Sequence, residues 1–130
     1  LWRRDFFLGI PGVFQVNTSV ITQTKLFLYD IFHVEKTFSV KLRSLVEQDR
    51  SQVILTTGGT GFAPRDVTPE ATLRIIEKRA QGLETAMTMA SLQKTCFGML
   101  SRAVCGVSKR ALIINLPGSR KGATDVLKPS

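Results

Sequence analysis

The sequence predicts an α/β fold, and three stretches carry that prediction. Residues 53–70 open with the apolar run Val53-Ile54-Leu55, break into Thr56-Thr57-Gly58-Gly59-Thr60-Gly61, and resume as a helix start at Thr68-Pro69-Glu70. Short β-branched runs bounded by glycine read as buried strands. A second strand-to-loop step is Ala111-Leu112-Ile113-Ile114-Asn115, a near-continuous apolar run suited to a strand covered on both faces, which ends in Leu116-Pro117-Gly118-Ser119. The third is an amphipathic helix over residues 40–49 leading into the strand at Val53. In open α/β sheets ligands sit beyond the carboxyl ends of strands, so the two loops can converge there.

The first loop has the chemistry of an anion site. Three glycines in four positions permit φ > 0 and close approach to the backbone, successive amides can form a nest, and threonine hydroxyls add donors. No Lys follows as a Walker A loop requires, and Phe62-Ala63-Pro64 replaces the third glycine of a dinucleotide fingerprint. A tight structural turn explains a glycine cluster equally well, so on these residues alone both readings stand. Downstream, Thr68 suits an N-cap, Pro69 the first helical position and Glu70 the first turn.

Taken in order, the 130 residues fit one domain, with 43% hydrophobic and 22% charged residues and a mean hydropathy of +0.08, values of a folded globular chain. No apolar run has the length to span a bilayer. A start at Leu rather than Met reads as a fragment or a processed product. The net charge of +8 comes from scattered basic residues without a dense run, which fits a solvated surface or one attracting anionic small molecules, and no nucleic-acid partner is expected.

Residues 1–39 contain a turn at Pro11-Gly12, a chance-level glycosylation sequon at Asn17, a candidate strand over 25–32, and His33 at a surface or boundary position with no nucleophile beside it. In the helix over 40–49, Val40, Leu42, Leu45 and Val46 form the apolar side. The helix from Pro69 is expected to run to about Ala80, with Leu73, Ile76 and Ala80 on one face, stopping at Gln81-Gly82. A second helix over 83–92 groups Leu83, Met87 and Ala90, and Met87 and Met89 read as packing groups. Residues 96–106 read as an irregular connection. Cys96 and Cys105 have no metal-ligand spacing and read as reduced core thiols. Past the second strand, Arg120 and Lys121 suit phosphate charge.

Thr-Thr-Gly-Gly-Thr-Gly at 56–61 with Pro-Arg-Asp-Val-Thr-Pro-Glu at 64–70, then Gly-Met-Leu-Ser-Arg at 98–102 and Leu-Ile-Ile-Asn-Leu-Pro-Gly-Ser at 112–119, resemble the blocks of the MoaB/MogA family of molybdenum-cofactor proteins, most of all the gephyrin amino-terminal domain and its plant counterpart. The resemblance spans about residues 40–125. It implies a three-layer α/β/α domain with a mostly parallel sheet over residues 40–130, incomplete at both ends. Residues 1–39 would stand in place of the family's first strand and helix. The family's upstream acid, in a Val-Pro-Asp type turn, has no match, and Glu35 is the nearest acid.

The implied activity is molybdopterin adenylyl transfer, with ATP and molybdopterin as substrates and Mg²⁺ as the metal. Asp66 would hold or orient the Mg²⁺ as the catalytic carboxylate. Thr56, Thr57, Gly58, Gly59, Thr60 and Gly61 would cradle phosphate; Ser101, Arg102, Asn115, Pro117, Gly118 and Ser119 would help bind pterin or nucleotide. A cytoplasmic homotrimer is implied, as is a possible second, molybdate-inserting domain in the parent protein. The competing readings are a gephyrin-like scaffold with receptor or cytoskeleton contacts, and an inactive partial domain.

Overall fold

The computed structural model describes residues 35–48 and 52–127; the expectations for Pro11-Gly12, Asn17, residues 25–32 and His33 lie outside them. Helix α1 spans Glu35–Glu47, strand β1 Val53–Thr57, α2 Thr68–Leu73, β2 Lys78–Arg79, α3 Gln81–Leu92, β3 Cys105–Ser108, β4 Ala111–Leu116 and α4 Arg120–Leu127. A short 3₁₀ helix covers Cys96–Leu100. The strand order is β1-β4-β3-β2.

Strand periodicity sorts the core onto the two faces. Ile54, Ala111 and Ile113 point one way and pack with Leu42 and Val46 of α1 and with Ile75 after α2. Leu55, Ile114 and Leu116 point the other way, onto Met87 of α3 and Ala123 of α4. Alternate residues of β1 and β4 thus serve opposite layers, which is the three-layer α/β/α arrangement. Ile113 and Leu116, both 0% exposed, each contribute about 2 kcal/mol through burial.

Several expectations are corrected by the geometry. First, the described sheet is mixed rather than mostly parallel: β1 and β4 run parallel, whereas β4–β3 and β3–β2 are antiparallel. The cause is the short Lys109-Arg110 connection, with Lys109 at φ 51°; so tight a turn can only join antiparallel strands. Second, α1 begins at Glu35 rather than residue 40, because Phe38 extends the Leu42–Val46 stripe by one turn while Val40 faces outward.

Third, α2 ends at Leu73 rather than near Ala80. Beyond it the backbone turns to the sheet: Glu77 N–H donates to Val107 O and Ala80 N–H to Cys105 O. The Ile76 spacing that mimics a helix places that side chain against Gly106, where a Cβ would lie 2.8 Å from Ile76 Cδ1. Gln81-Gly82, read as a stop, is the first turn of α3, and Met89 is exposed while Met87 is buried. Fourth, residues 96–106 hold the 3₁₀ helix and the start of β3, and only residues 101–104 between them are irregular. Arg120 and Lys121 form the first turn of α4: Ser119 Oγ accepts from Gly122 N–H at 3.0 Å, the bond of an N-cap serine.

The two cysteines separate by environment. Cys105 is fully buried with its Sγ 3.6 Å from Met87 Sδ, and burial pushes its thiol up to about 11. Cys96 is exposed rather than a core thiol. Thiol titration at mildly alkaline pH is expected to modify Cys96 rapidly and Cys105 only as the chain unfolds, since thiolate is the reactive form. Two equally fast thiols in native protein would contradict this placement.

Candidate functional site

The site forms where β1 and β4 end side by side. Thr57 pairs with Leu116, and Gly58 N–H donates to Leu116 O at 3.1 Å, carrying the ladder one step into the loop. Gly58 and Gly59 then take φ +83° and +65°, a left-handed pair that L side chains resist. Gly118 faces them: a Cβ there would stand 3.1 Å from Gly58 Cα. Two backbones therefore meet with no side chain between, which is the convergence expected from the sequence.

Beside this junction lies a pocket of about 530 Å³. Six of the expected residues line it: Thr60, Gly61, Ser101, Pro117, Gly118 and Ser119. Lys121 of α4, expected to suit phosphate charge, also lines it, and the structure adds Lys94 beyond α3, Asp125 of α4, and an apolar wall from Phe97 and Leu100. Two ammonium groups and a row of small polar groups suit an anionic ligand, and the apolar wall suits a flat ring. Lys94 and Asp125 carry no signal in the sequence, since each joins the pocket only through helix packing.

The remaining expected residues lie outside the pocket wall. Thr57 is half-buried at the strand end. Asn115 is 0% exposed, and its whole amide is engaged. Its Nδ2 donates to Thr56 Oγ1 at 2.8 Å and Thr72 Oγ1 at 2.9 Å, while Oδ1 accepts from Val104 N–H at 3.2 Å. Asn115 and Thr56 thus form a strut beneath the loops. Thr68 is helical rather than the cap: its N–H is taken by Gly59 O at 3.2 Å, and the capping position falls to Val67 without a side-chain bond.

Asp66 sits one step behind the wall. Its Oδ2 accepts from Ala63 N–H at 3.0 Å and lies so near Gly61 that a Cβ there would come within 2.7 Å. Its other oxygen takes no protein hydrogen bond among the described residues. Those residues hold no group of three His, Cys, Asp or Glu side chains able to cage a metal. A single carboxylate fits a small hard cation carried in on substrate phosphates, as Mg²⁺ usually is.

Arg102 turns inward. Its Nη1 donates to Glu70 Oε1, its Nε and Nη2 to Gly61 O at 2.8 and 2.6 Å, and its Nη2 also to Asp66 O at 2.8 Å. Its charge lies 5.3 Å from the centre of the Phe62 ring. Burial acts to raise the Glu70 carboxyl, but the Arg102 hydrogen bond and charge, with a backbone hydrogen bond, hold it below its ordinary 4.5. The folded chain therefore binds fewer protons here than the unfolded one as pH falls past 4.5. The stability contributed is present above that value and lost as pH falls through the folded pKa. Urea midpoints taken from neutral pH to about pH 3 should fall less steeply for Glu70→Gln than for the wild type; parallel curves would contradict the pairing.

Comparison with known proteins places this geometry in context. A family model described as a probable molybdopterin binding domain matches residues 31–129. The chain is 48% identical over 85 residues to the molybdenum cofactor synthesis protein cinnamon of Drosophila melanogaster, covering 65% of this chain and 14% of that protein. It is 38% identical over 125 residues to the molybdopterin adenylyltransferase of Escherichia coli K12, covering 92% of this chain and 62% of the enzyme. The structure of the molybdopterin biosynthesis enzyme MoaB from Thermus thermophilus superposes with a TM-score of 0.66 at 45% identity, over 72% of this chain and 59% of that one. The chain therefore spans less than two thirds of each relative. Among the described residues no helix is long and apolar enough to cross a membrane.

Proposed function

Because this chain belongs to the molybdopterin-binding domain family, we propose that it carries out the adenylyl-transfer step of molybdenum-cofactor biosynthesis. The molybdopterin phosphate attacks the α-phosphorus of ATP, a new P–O bond forms, and the bond to pyrophosphate breaks. The observation that carries the reading is the meeting of the two glycine loops at a pocket holding Lys94 and Lys121.

Such a transfer asks the protein for positioning and for stabilisation of phosphate charge. Backbone N–H groups of Gly59, Thr60 and Gly61 bind phosphate oxygens, with Thr57 and the Thr60 hydroxyl beside them, while the Gly58 N–H stays on Leu116 O. Lys94 and Lys121, both in the pocket lining, neutralise phosphate charge. Phe97, Leu100 and Pro117 offer a surface to a flat heterocycle, while Ser101, Gly118 and Ser119 orient it. Thr56 and Asn115 act from below, holding the strand ends level. Asp66 is the residue that would hold Mg²⁺ arriving with ATP, and such an ion would supply further neutralisation of phosphate charge.

A homotrimer is the assembly we propose, because Met89, Leu92 and Met99, none of them in the pocket lining, leave an exposed apolar band on α3 and the 3₁₀ helix. The cytoplasm is the proposed compartment. The test combines turnover with binding. Pyrophosphate release from Mg·ATP should require molybdopterin, and saturating molybdopterin should raise the melting midpoint by about 10 °C at 100-fold excess over Kd. Light scattering should give three protomers. A folded protein with neither turnover nor shift would overturn the enzymatic reading, and a trimer of that kind would put the gephyrin-like scaffold reading ahead.

A further inference from the structure

We propose that Arg102 is a positioning residue, a latch that fixes the loop of residues 61–66 and so aims the Asp66 carboxylate, rather than a ligand for phosphate. The proposal deepens the adenylyltransferase reading and rests on it. The guanidinium reaches both ends of the loop at once, with Gly61 O at one end and Asp66 O at the other. The Arg102 backbone N–H donates to Thr60 O at 2.9 Å, so the same residue also ties down the end of the glycine turn. Glu70 of α2 fixes the remaining arm of the fork.

Within the loop, Asp66 N–H donates to Ala63 O at 2.8 Å and Ala63 N–H returns to Asp66 Oδ2. The turn is thus internally closed, and its attachment to the fold runs through Arg102. The neighbouring Ser101 lines the pocket while Arg102 does not. Its donors point to two carbonyls and a carboxylate, and Phe62 covers the cation. A planar fork with five N–H groups can serve these acceptors together; an ammonium on a flexible stem cannot.

The experiment is Arg102→Lys in the full chain, read by kinetics and by hydrogen exchange. Misplacing a reacting group by about an ångström costs on the order of 100-fold, so kcat is expected to fall about 30-fold or more. KM for molybdopterin and ATP should stay within about threefold, because no phosphate contact is lost. Amides of Ala63 and Asp66 should exchange about tenfold faster. A folded Arg102→Lys protein with unchanged kcat and unchanged exchange would overturn the latch, as would a large rise in KM at constant kcat, the mark of a substrate contact.

Exchange separates this idea from the reading it rests on. If the wild type shows no turnover, the adenylyltransferase reading fails, and the latch is decided by exchange alone: faster amides uphold it and unchanged amides overturn it. If Arg102→Lys does not fold, Glu70→Gln removes only the charged partner and should produce the same local acceleration at about threefold; no acceleration there overturns the latch.

Discussion

Asp66→Asn should lower the rate of adenylyl transfer by about 100-fold or more while leaving the melting midpoint nearly unchanged. The substitution is isosteric and retains an oxygen for the Ala63 N–H bond, so the turn keeps its closure. What it loses is the negative charge beside Gly61, the feature that would hold a divalent cation against phosphate oxygens. Removal of a single well-placed electrostatic group commonly costs about 10²–10³ in kcat. Single-turnover assays over a range of Mg²⁺ would separate the causes. A deficit that shrinks at high Mg²⁺ indicates weakened metal retention, whereas activity within threefold of wild type would remove Asp66 from the chemistry.

Asn115→Ala should be the most destabilising single change at the site. It strips the partner from Val104 N–H and from the hydroxyls of Thr56 and Thr72, all within a layer that water does not reach. Unpaired buried polar groups cost about 1–3 kcal/mol each, and the hydroxyls can recover part of this by rotating. A loss of about 3–5 kcal/mol is expected, or roughly 10–20 °C in the melting midpoint for a chain of this size. Thr72→Val, which removes one arm of the strut, should cost less than half as much. Denaturation by urea gives both numbers directly, and a loss below about 1 kcal/mol for Asn115→Ala would mean that the threonines pair elsewhere.

The strands that build the site were legible because their chemistry is local. Val53-Ile54-Leu55 and the run from Ala111 have the apolar continuity of covered strands, and each ends in glycine within a few residues. The edge of the sheet was not legible. Lys78 and Arg79 are both exposed, and Cys105-Gly106-Val107-Ser108 alternates over only four residues around an interior glycine, too short a pattern to mark a strand. Their pairing depends on Gly106, whose missing side chain admits Ile76 and the Lys78 carbonyl.

Residue type alone does not tell where the side chains of the site are directed. Arginine and asparagine beside glycine loops suggest ligand contacts, yet Arg102 spends its donors on the 61–70 loop, and Asn115 spends its amide on threonines. Only the direction of a side chain distinguishes a ligand from a brace, and strand register decides that direction. One residue further on, Leu116 faces the opposite layer, so a register shift of one would exchange the strut for a leucine.

The parallel pairing of β1 with β4 also sets the order in which the molecule can be assembled. Thr56 and Asn115, whose side chains lock the two strand ends together, lie 59 residues apart. At synthesis rates of 5–20 residues per second, the glycine turn waits roughly 3–12 s before its neighbour leaves the ribosome. Until then it has no carbonyl from Leu116 and no facing Gly118, and closing so long a loop carries an entropic cost that short-range contacts cannot offset. The glycine-loop junction is therefore among the last features to become structured, and ligand-induced stabilisation in a nascent chain is expected to appear only after β4 has emerged.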